Sequence, residues 1–282
     1  MRRFEYFEPA TLGEAIGLLA RYQGRAQALA GGTDLLVELK EQLRSADCVV
    51  NLKKIPGIGA LAFDAREGLR IGALVTAREI ELSEVILRLY PSLAQAAREL
   101  GSIQVRNRAT IVGNVCRASP SADTLPPLIA DAAQVTVNGK NGERHVPLED
   151  FFTGPGRTVL SPGELVTELR LPAPAPRTGK VYIKHGRRKA MELATVGVAV
   201  SLSAADVRIV LGAVAPTPIR ARRAEELLRG RKIDASSIER AAQAAVEESR
   251  PISNVRASAE YRREMVGVLT RRALTKALEA TR

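Results

Sequence analysis

The sequence predicts an α+β fold in two domains, over residues 1–175 and 179–282, the first of them divided near residue 53 into two units. Three observations predict it. Strand, glycine turn, helix and strand follow one another between residues 26 and 52, the order of a small βαβ unit. Two strand-forming runs flank Asn138-Gly139-Lys140-Asn141-Gly142, a hairpin signal. Pro172, Pro174 and Pro176 stand at alternate positions and make a stiff linker, beyond which strands are followed by helices.

Each element has a local reason. Thr11-Leu12-Gly13-Glu14 is a capping box, and Leu12, Ala15, Ile16 and Leu19 then recur on one helical face. A short apolar stretch over 26–30 breaks at Gly31-Gly32. Thr33 and Asp34 are good N-cap residues for a helix over 35–43, and 48–52 reads as a buried strand. In the second unit, 69–72 is a strand and Thr76-Ala77-Arg78-Glu79 a further capping box. Tyr90-Pro91 ends its helix, and Ser92 with Gln95 is read as the cap of another running to Leu100-Gly101. Residues 101–127 show no helical period, yet Ile103, Val105, Ile111 and Val115 carry too much apolar content for disorder, so a functional loop is expected. Strands at 133–137 and 144–147 form the hairpin, and 164–171 is one more strand. The last domain reads as strands at 196–202 and 207–214, then helices near 219–229, 235–249 and 257–279.

Composition excludes several classes of function. Against 31 Asp and Glu stand 42 Lys and Arg, a formal net charge of +11. From Thr217 onward there are fifteen basic and nine acidic residues, the former spaced along apolar helices among glutamates. Aromatics make up only 4% and are not interleaved with the arginines, as a base-stacking surface requires, so no nucleic acid partner is expected. The basic surface, including Arg187-Arg188-Lys189, is read as solvated or as facing an acidic partner. No apolar run approaches the ~18–20 residues of a membrane span. Glu5 and Glu8 stand where a secretion signal needs an apolar segment, and a cytoplasmic location is expected. Two cysteines, Cys48 and Cys116, are too few for a disulfide framework, an iron–sulfur cluster or a four-ligand zinc site.

Two glycine-bearing turns carry the candidate chemistry. In Ala30-Gly31-Gly32-Thr33-Asp34-Leu35, adjacent glycines let backbone amides approach a phosphate without a Cβ in the way. Thr110-Ile111-Val112-Gly113-Asn114, followed by Ala118-Ser119-Pro120-Ser121-Ala122-Asp123, offers a hydroxyl, a glycine amide and a side-chain amide, with Asp123 available for ring or ribose hydroxyls. Neither turn matches the dinucleotide or P-loop signature, and on physical grounds a structural and a nucleotide-binding reading both stand.

Four ordered runs, AGGTDLLVELK, GSIQVRNRATIVGNVCRASPSADTLPPLIADAA, FFTGPGRTVLSPGELVTELRLP and YIKHGRRKAMELATVGVAV, resemble the FAD-binding (medium) subunit of the molybdenum hydroxylases, the family of xanthine dehydrogenase and aerobic carbon monoxide dehydrogenase. The resemblance spans essentially the whole chain. It implies an FAD-binding fold of two α+β subdomains (PCMH/VAO-like), followed by a C-terminal domain with a small antiparallel sheet and helices. It implies non-covalent FAD on a first loop formed by Ala28, Leu29, Ala30, Gly31, Gly32, Thr33, Asp34 and Leu35, where the amides from Gly31 to Asp34 hold the diphosphate. The second loop is Thr110, Ile111, Val112, Gly113 and Asn114, with Thr110 and Asn114 as side-chain donors. Asp123 is expected near the adenosine portion, and Leu169 and Lys184 near the flavin ring, where a cation favours the reduced anionic form. Val112 stands where many relatives carry glycine; since valine avoids positive φ, a different local backbone is expected.

The resemblance further implies a partner small subunit with two [2Fe-2S] clusters and a large subunit with the molybdenum cofactor, as a dimer of heterotrimers. Electrons would pass from the clusters through FAD to NAD+, a quinone or oxygen. No residue of this chain is then an acid or base toward the organic substrate, and no metal is expected on it. His145, His185 and Cys116 are read as ordinary surface or packing residues. A stand-alone FAD-dependent oxidase and a non-enzymatic basic interaction module are the alternatives.

Overall fold

The computed structural model describes residues 2–281. Three main sheets, each with its own helices, and one two-stranded hairpin make up the described residues. In the first, β1 (Glu5–Phe7), β2 (Ala26–Leu29) and β3 (Cys48–Asn51) lie parallel in the order β1-β3-β2. Helix α1 (Leu12–Arg21) starts at Thr11, whose side chain accepts from the Glu14 amide, and α2 (Leu35–Lys40) follows the glycine turn. Because side chains alternate along a strand, Cys48 and Val50 join a core with Ala15 and Leu19 of α1. Val49 points the other way, onto Leu39 of α2. A central parallel strand covered on both faces reads as a continuous apolar run, which is why 48–52 was legible. Strand β1 was not: three residues are too few for a period.

The second sheet is antiparallel, ordered β4-β5-β10-β6-β7, with β4 (Leu61–Asp64), β5 (Gly68–Gly72), β6 (Gln134–Gly139) and β7 (Gly142–Pro147) around a central strand over 165–171. Its helices are α3 (Ala77–Leu82), α4 (Glu84–Leu89), α5 (Pro91–Glu99), α6 (Ile103–Arg106), α7 (Ile111–Arg117) and α8 (Leu125–Ala130). A small hairpin, β8 (Phe152–Gly154) and β9 (Arg157–Thr158), precedes β10 (Leu165–Leu171). Thr76 and Glu79 form the complete reciprocal capping box. Two expectations are corrected. Ser92 is not a cap: α5 begins with Pro91 at its first position and buries Ser92 in its opening turn. Residues 101–127 are not a structureless loop but carry three short helices. Each is too short to show a period and is held from outside, as where buried Arg106 donates to Glu81 of α3 at 2.8 Å.

The third sheet runs β11 (Gly179–His185), β12 (Val196–Leu202), β13 (Val207–Gly212) and β14 (Ile219–Arg220), all antiparallel, with α9 (Arg222–Leu228), α10 (Ala235–Glu248) and α11 (Ala259–Ala280) after it. Both faces are covered. Val196, Val198 and Val200 pack on the helices of this last domain. Ala199, Val210 and Tyr182 join the core of the second sheet. Strand β11 alternates accordingly, sending Val181 and Ile183 to the helix side and Lys180, Tyr182 and Lys184 to the other. Lys180 forms a buried ion pair with Asp131 and sits 4.9 Å from the centre of the Tyr90 ring. A cation buried between an aspartate and an aromatic face ties the third sheet to the second.

Candidate functional site

A cleft of about 650 Å³ opens where the three parts meet. One wall is the end of β2, the glycine turn and the start of α2. A second comprises the start of α7, the 119–123 segment and residues 164–166, and Met191, Glu192 and Leu193 stand at its rim. This volume is within the range that holds a dinucleotide-sized ligand.

The glycine turn is shaped by close approach. A Cβ on Gly31 would lie 2.2 Å from the Arg108 carbonyl oxygen, and Gly32 adopts φ +77°. Only glycine lets the two walls come this near while the chain reverses. Within the turn, the Gly32 and Asp34 carbonyls accept from Leu36 and Glu38 at 3.0 and 2.9 Å. The amides of Gly31, Gly32, Thr33 and Asp34 find no acceptor among the described residues. Four consecutive free donors on a concave surface are an anion cradle. Asp34 stands before α2 without a side-chain cap bond, contrary to the sequence expectation.

The second wall is built differently. Thr110 caps α7, its hydroxyl accepting from the Gly113 amide at 3.1 Å. The Ile111 amide donates to Val75 O at 3.1 Å and the Ala77 amide to Ala109 O at 2.8 Å, pinning this turn to the second sheet. Asn114 Oδ1 accepts from the Thr124 hydroxyl at 2.7 Å, which orients its amide nitrogen as a donor. Val112 lies in the first turn of α7, where no positive φ is called for, and packs its side chain in the core. The backbone at Val112 is that of an ordinary helix.

Asp123 is the buried acid of the cleft. Tyr182 Oη donates to its Oδ1 at 2.7 Å, and Lys184 Nζ to its Oδ2 at 2.8 Å and to the Glu99 carbonyl at 3.1 Å. Burial is the largest influence and raises the carboxyl to about 6, while Lys184 and Tyr182 pull it down. The same burial, with Asp123 beside it, pushes the Tyr182 phenol well above its ordinary value.

Of the residues singled out from the sequence, Ala28, Leu29, Ala30, Gly31, Gly32, Thr33, Asp34, Leu35, Thr110, Gly113, Asn114 and Asp123 all line this one cleft. Four do not. Ile111, Val112 and Leu169 are core residues, and Lys184 sits behind Asp123. On β10 it is Leu165 and Val166 that reach the cleft, ahead of an irregularity in pairing before Glu168 that resets which face each residue takes. Sequence reading missed Arg117, which lines the cleft and joins its walls, 2.7 Å from Glu38 and 3.9 Å from Asp34. It also missed Tyr182, whose signal was the alternation of Lys180, Tyr182 and Lys184 with Val181 and Ile183. Cys116 lines the cleft as a thiol that burial pushes up to about 12, hence uncharged. His145 faces Thr136 and Glu143, and His185 bonds to Tyr261, both away from the cleft.

The family model described as the FAD binding domain in molybdopterin dehydrogenase matches residues 2–174, and that described as the CO dehydrogenase flavoprotein C-terminal domain matches residues 181–277. The chain belongs to this flavoprotein family. It is 34% identical to the carbon monoxide dehydrogenase medium chain of Hydrogenophaga pseudoflava, over 98% of this chain and 97% of that one. It is 32% identical to the xanthine dehydrogenase FAD-binding subunit of Escherichia coli O157:H7, over 98% and 96%. Among solved structures, Hydrogenophaga pseudoflava carbon monoxide dehydrogenase lacking the Mo-pyranopterin moiety superposes with a TM-score of 0.94 over 99% of this chain and 98% of that one, at 34% identity. Quinoline 2-oxidoreductase from Pseudomonas putida 86 does so at 0.91 over 100% and 99%, at 30% identity. As in the sequence reading, the family fold is an FAD-binding domain followed by a flavoprotein C-terminal domain. No helix among the described residues is long and apolar enough to cross a membrane.

Proposed function

We propose that this family member is the electron-transfer flavoprotein subunit of a molybdenum hydroxylase, and that the cleft described above holds its FAD. The observation that carries the reading is the convergence on one cleft of the four free amides from Gly31 to Asp34, the oriented side chain of Asn114, and the buried carboxylate of Asp123. This donor set fits the cofactor: amides suit a diphosphate without needing lysines, and a carboxylate suits a ribose or ribityl hydroxyl. The two arginines that line the cleft, Arg44 and Arg117, are both already paired with Glu38.

FAD, when bound, supplies a carrier that receives electrons one at a time and passes them on as a pair. The chain's own part is geometric. The amides from Gly31 to Asp34 would hold the diphosphate from one side and the side chains of Thr110 and Asn114 from the other, and Asp123, held by Lys184 and Tyr182, would accept from a hydroxyl of the cofactor. The partners of this reading are a small subunit with two [2Fe-2S] clusters and a large subunit with the molybdenum cofactor, assembled as a dimer of heterotrimers in the cytoplasm. The acceptor is NAD+, a quinone or oxygen. Relatives whose names include carbon monoxide dehydrogenase medium chain and xanthine dehydrogenase FAD-binding subunit support it, as do two free cysteines, too few to hold a cluster here.

The test is purification of the chain from its own host. The expected result is oxidised-flavin absorbance at one FAD per chain, with iron–sulfur and molybdenum subunits in the same complex. A colourless preparation, or substrate turnover by the isolated chain at the rate of the complex, would overturn the proposal.

A further inference from the structure

Resting on the reading of the cleft as the FAD site, we infer that Tyr182, seated over Gly197, is a positioning residue that orients Asp123 toward a hydroxyl of the cofactor. Tyr182 does not line the cleft; it reaches Asp123 from behind, through a hydrogen bond of 2.7 Å between two buried groups. Its place is made by the neighbouring strand. A Cβ on Gly197 would lie 2.9 Å from the Tyr182 hydroxyl oxygen and 3.3 Å from its ring, so a glycine there leaves the room that the phenol occupies. The Lys184 ammonium takes the second carboxylate oxygen. Both oxygens are thus held by donors from β11, and each keeps further acceptor capacity in a residue that lines the cleft.

The arrangement has a titratable consequence. The groups that act on Asp123 are Tyr182 and Lys184 from β11 and Glu99 from α5. The first two favour the carboxylate; burial and Glu99 oppose it, leaving the group poised at about 6. A carboxylate accepts from a cofactor hydroxyl through either lone pair, whereas its protonated form has lost part of that capacity. FAD affinity therefore rises with pH through the titration of Asp123 and levels above it. Removing the Tyr182 donor takes away one group that lowers this titration, so the midpoint moves upward.

The experiment uses the full chain as it purifies, stripped of flavin and titrated with FAD by fluorescence between pH 5 and 8.5. For Tyr182→Phe the midpoint of the affinity profile shifts up by about one pH unit, with affinity at the top of the range within about threefold of the unaltered chain. Gly197→Ala, which displaces the phenol without deleting it, shifts the midpoint in the same direction and serves if Tyr182→Phe does not fold. Asp123→Asn binds more weakly and has no such pH dependence. If the Asp123→Asn profile is flat while both other variants keep the original midpoint, the role of Tyr182 is overturned and the site stands. If Asp123→Asn retains both affinity and profile, the placement of FAD against Asp123 fails, and the inference fails with it.

Discussion

The two walls of the cleft offer hydrogen-bond donors by opposite means. In the glycine turn the donors are backbone amides with no acceptor of their own, exposed because Gly31 lets the chain pass within touching distance of Arg108 and Gly32 lets it reverse at positive φ. On the facing wall most of the amides are already used: Ile111 donates to Val75 O, Gly113 to the Thr110 hydroxyl and Asn114 to Thr110 O. What is offered there is a side chain, Asn114, aimed by Thr124. A wall of amides is preformed by backbone geometry and tolerates little; a wall of side chains is tuned residue by residue. The difference teaches where each wall needs a glycine: the first at Gly31, for the close approach, and the second at Gly113, where a Cβ would lie 2.7 Å from the Thr110 hydroxyl oxygen, but not at position 112, where Val112 sits in the helix without strain.

Four substitutions test this contrast, in falling order of effect. Gly31→Ala places a methyl 2.2 Å from a carbonyl oxygen and forces the walls apart. FAD affinity should fall by roughly 100-fold or more, about 2.7 kcal/mol; a fluorescence titration within threefold of the unaltered chain would refute the close-approach argument. Val112→Gly removes a buried side chain and weakens a helix. A loss of about 2 kcal/mol in urea unfolding is expected, with no gain in FAD affinity. Tighter binding by this variant would mean that position 112, too, calls for glycine. Asn114→Ala deletes one oriented donor, and the dissociation constant of FAD should rise about tenfold, or about 1.4 kcal/mol. Unchanged binding would reduce the second wall to a spacer. Arg117→Gln breaks the ion pair that crosses between the walls, but Arg117 is partly exposed. Its cost should stay below about 1 kcal/mol and vanish at high salt, as thermal unfolding across ionic strength would register.

Much of the fold was legible because its signals are local. The Thr76–Glu79 capping box, the Asn138–Gly142 hairpin and the Val-rich strand β12 are each decided by neighbours in the chain. The glycine turn was legible for the same reason. Elements held from a distance were not. Helices α6, α7 and α8 have four, seven and six residues, lengths at which tertiary contacts rather than periodicity decide the structure. Strand β11 was not legible, because Lys180 and Lys184 break its apolar pattern and only the fold brings their partners Asp131 and Asp123 against them.

The chain's own chemistry was thus enough to specify the α+β class and to single out the two glycine-bearing turns, since turn geometry depends on adjacent residues, while twelve of the residues that line the cleft were named through the family resemblance of those turns. Which members of the second wall face inward required the fold. Ile111, Val112 and Leu169 turn to the core because their helix and strand are oriented by the second sheet. Lys184 meets Asp123, 61 residues earlier, because β11 pairs with β12 in the register that sets Lys184 against Gly197. Its charge therefore acts on the carboxylate rather than on the cleft, a consequence of strand register that no local pattern encodes.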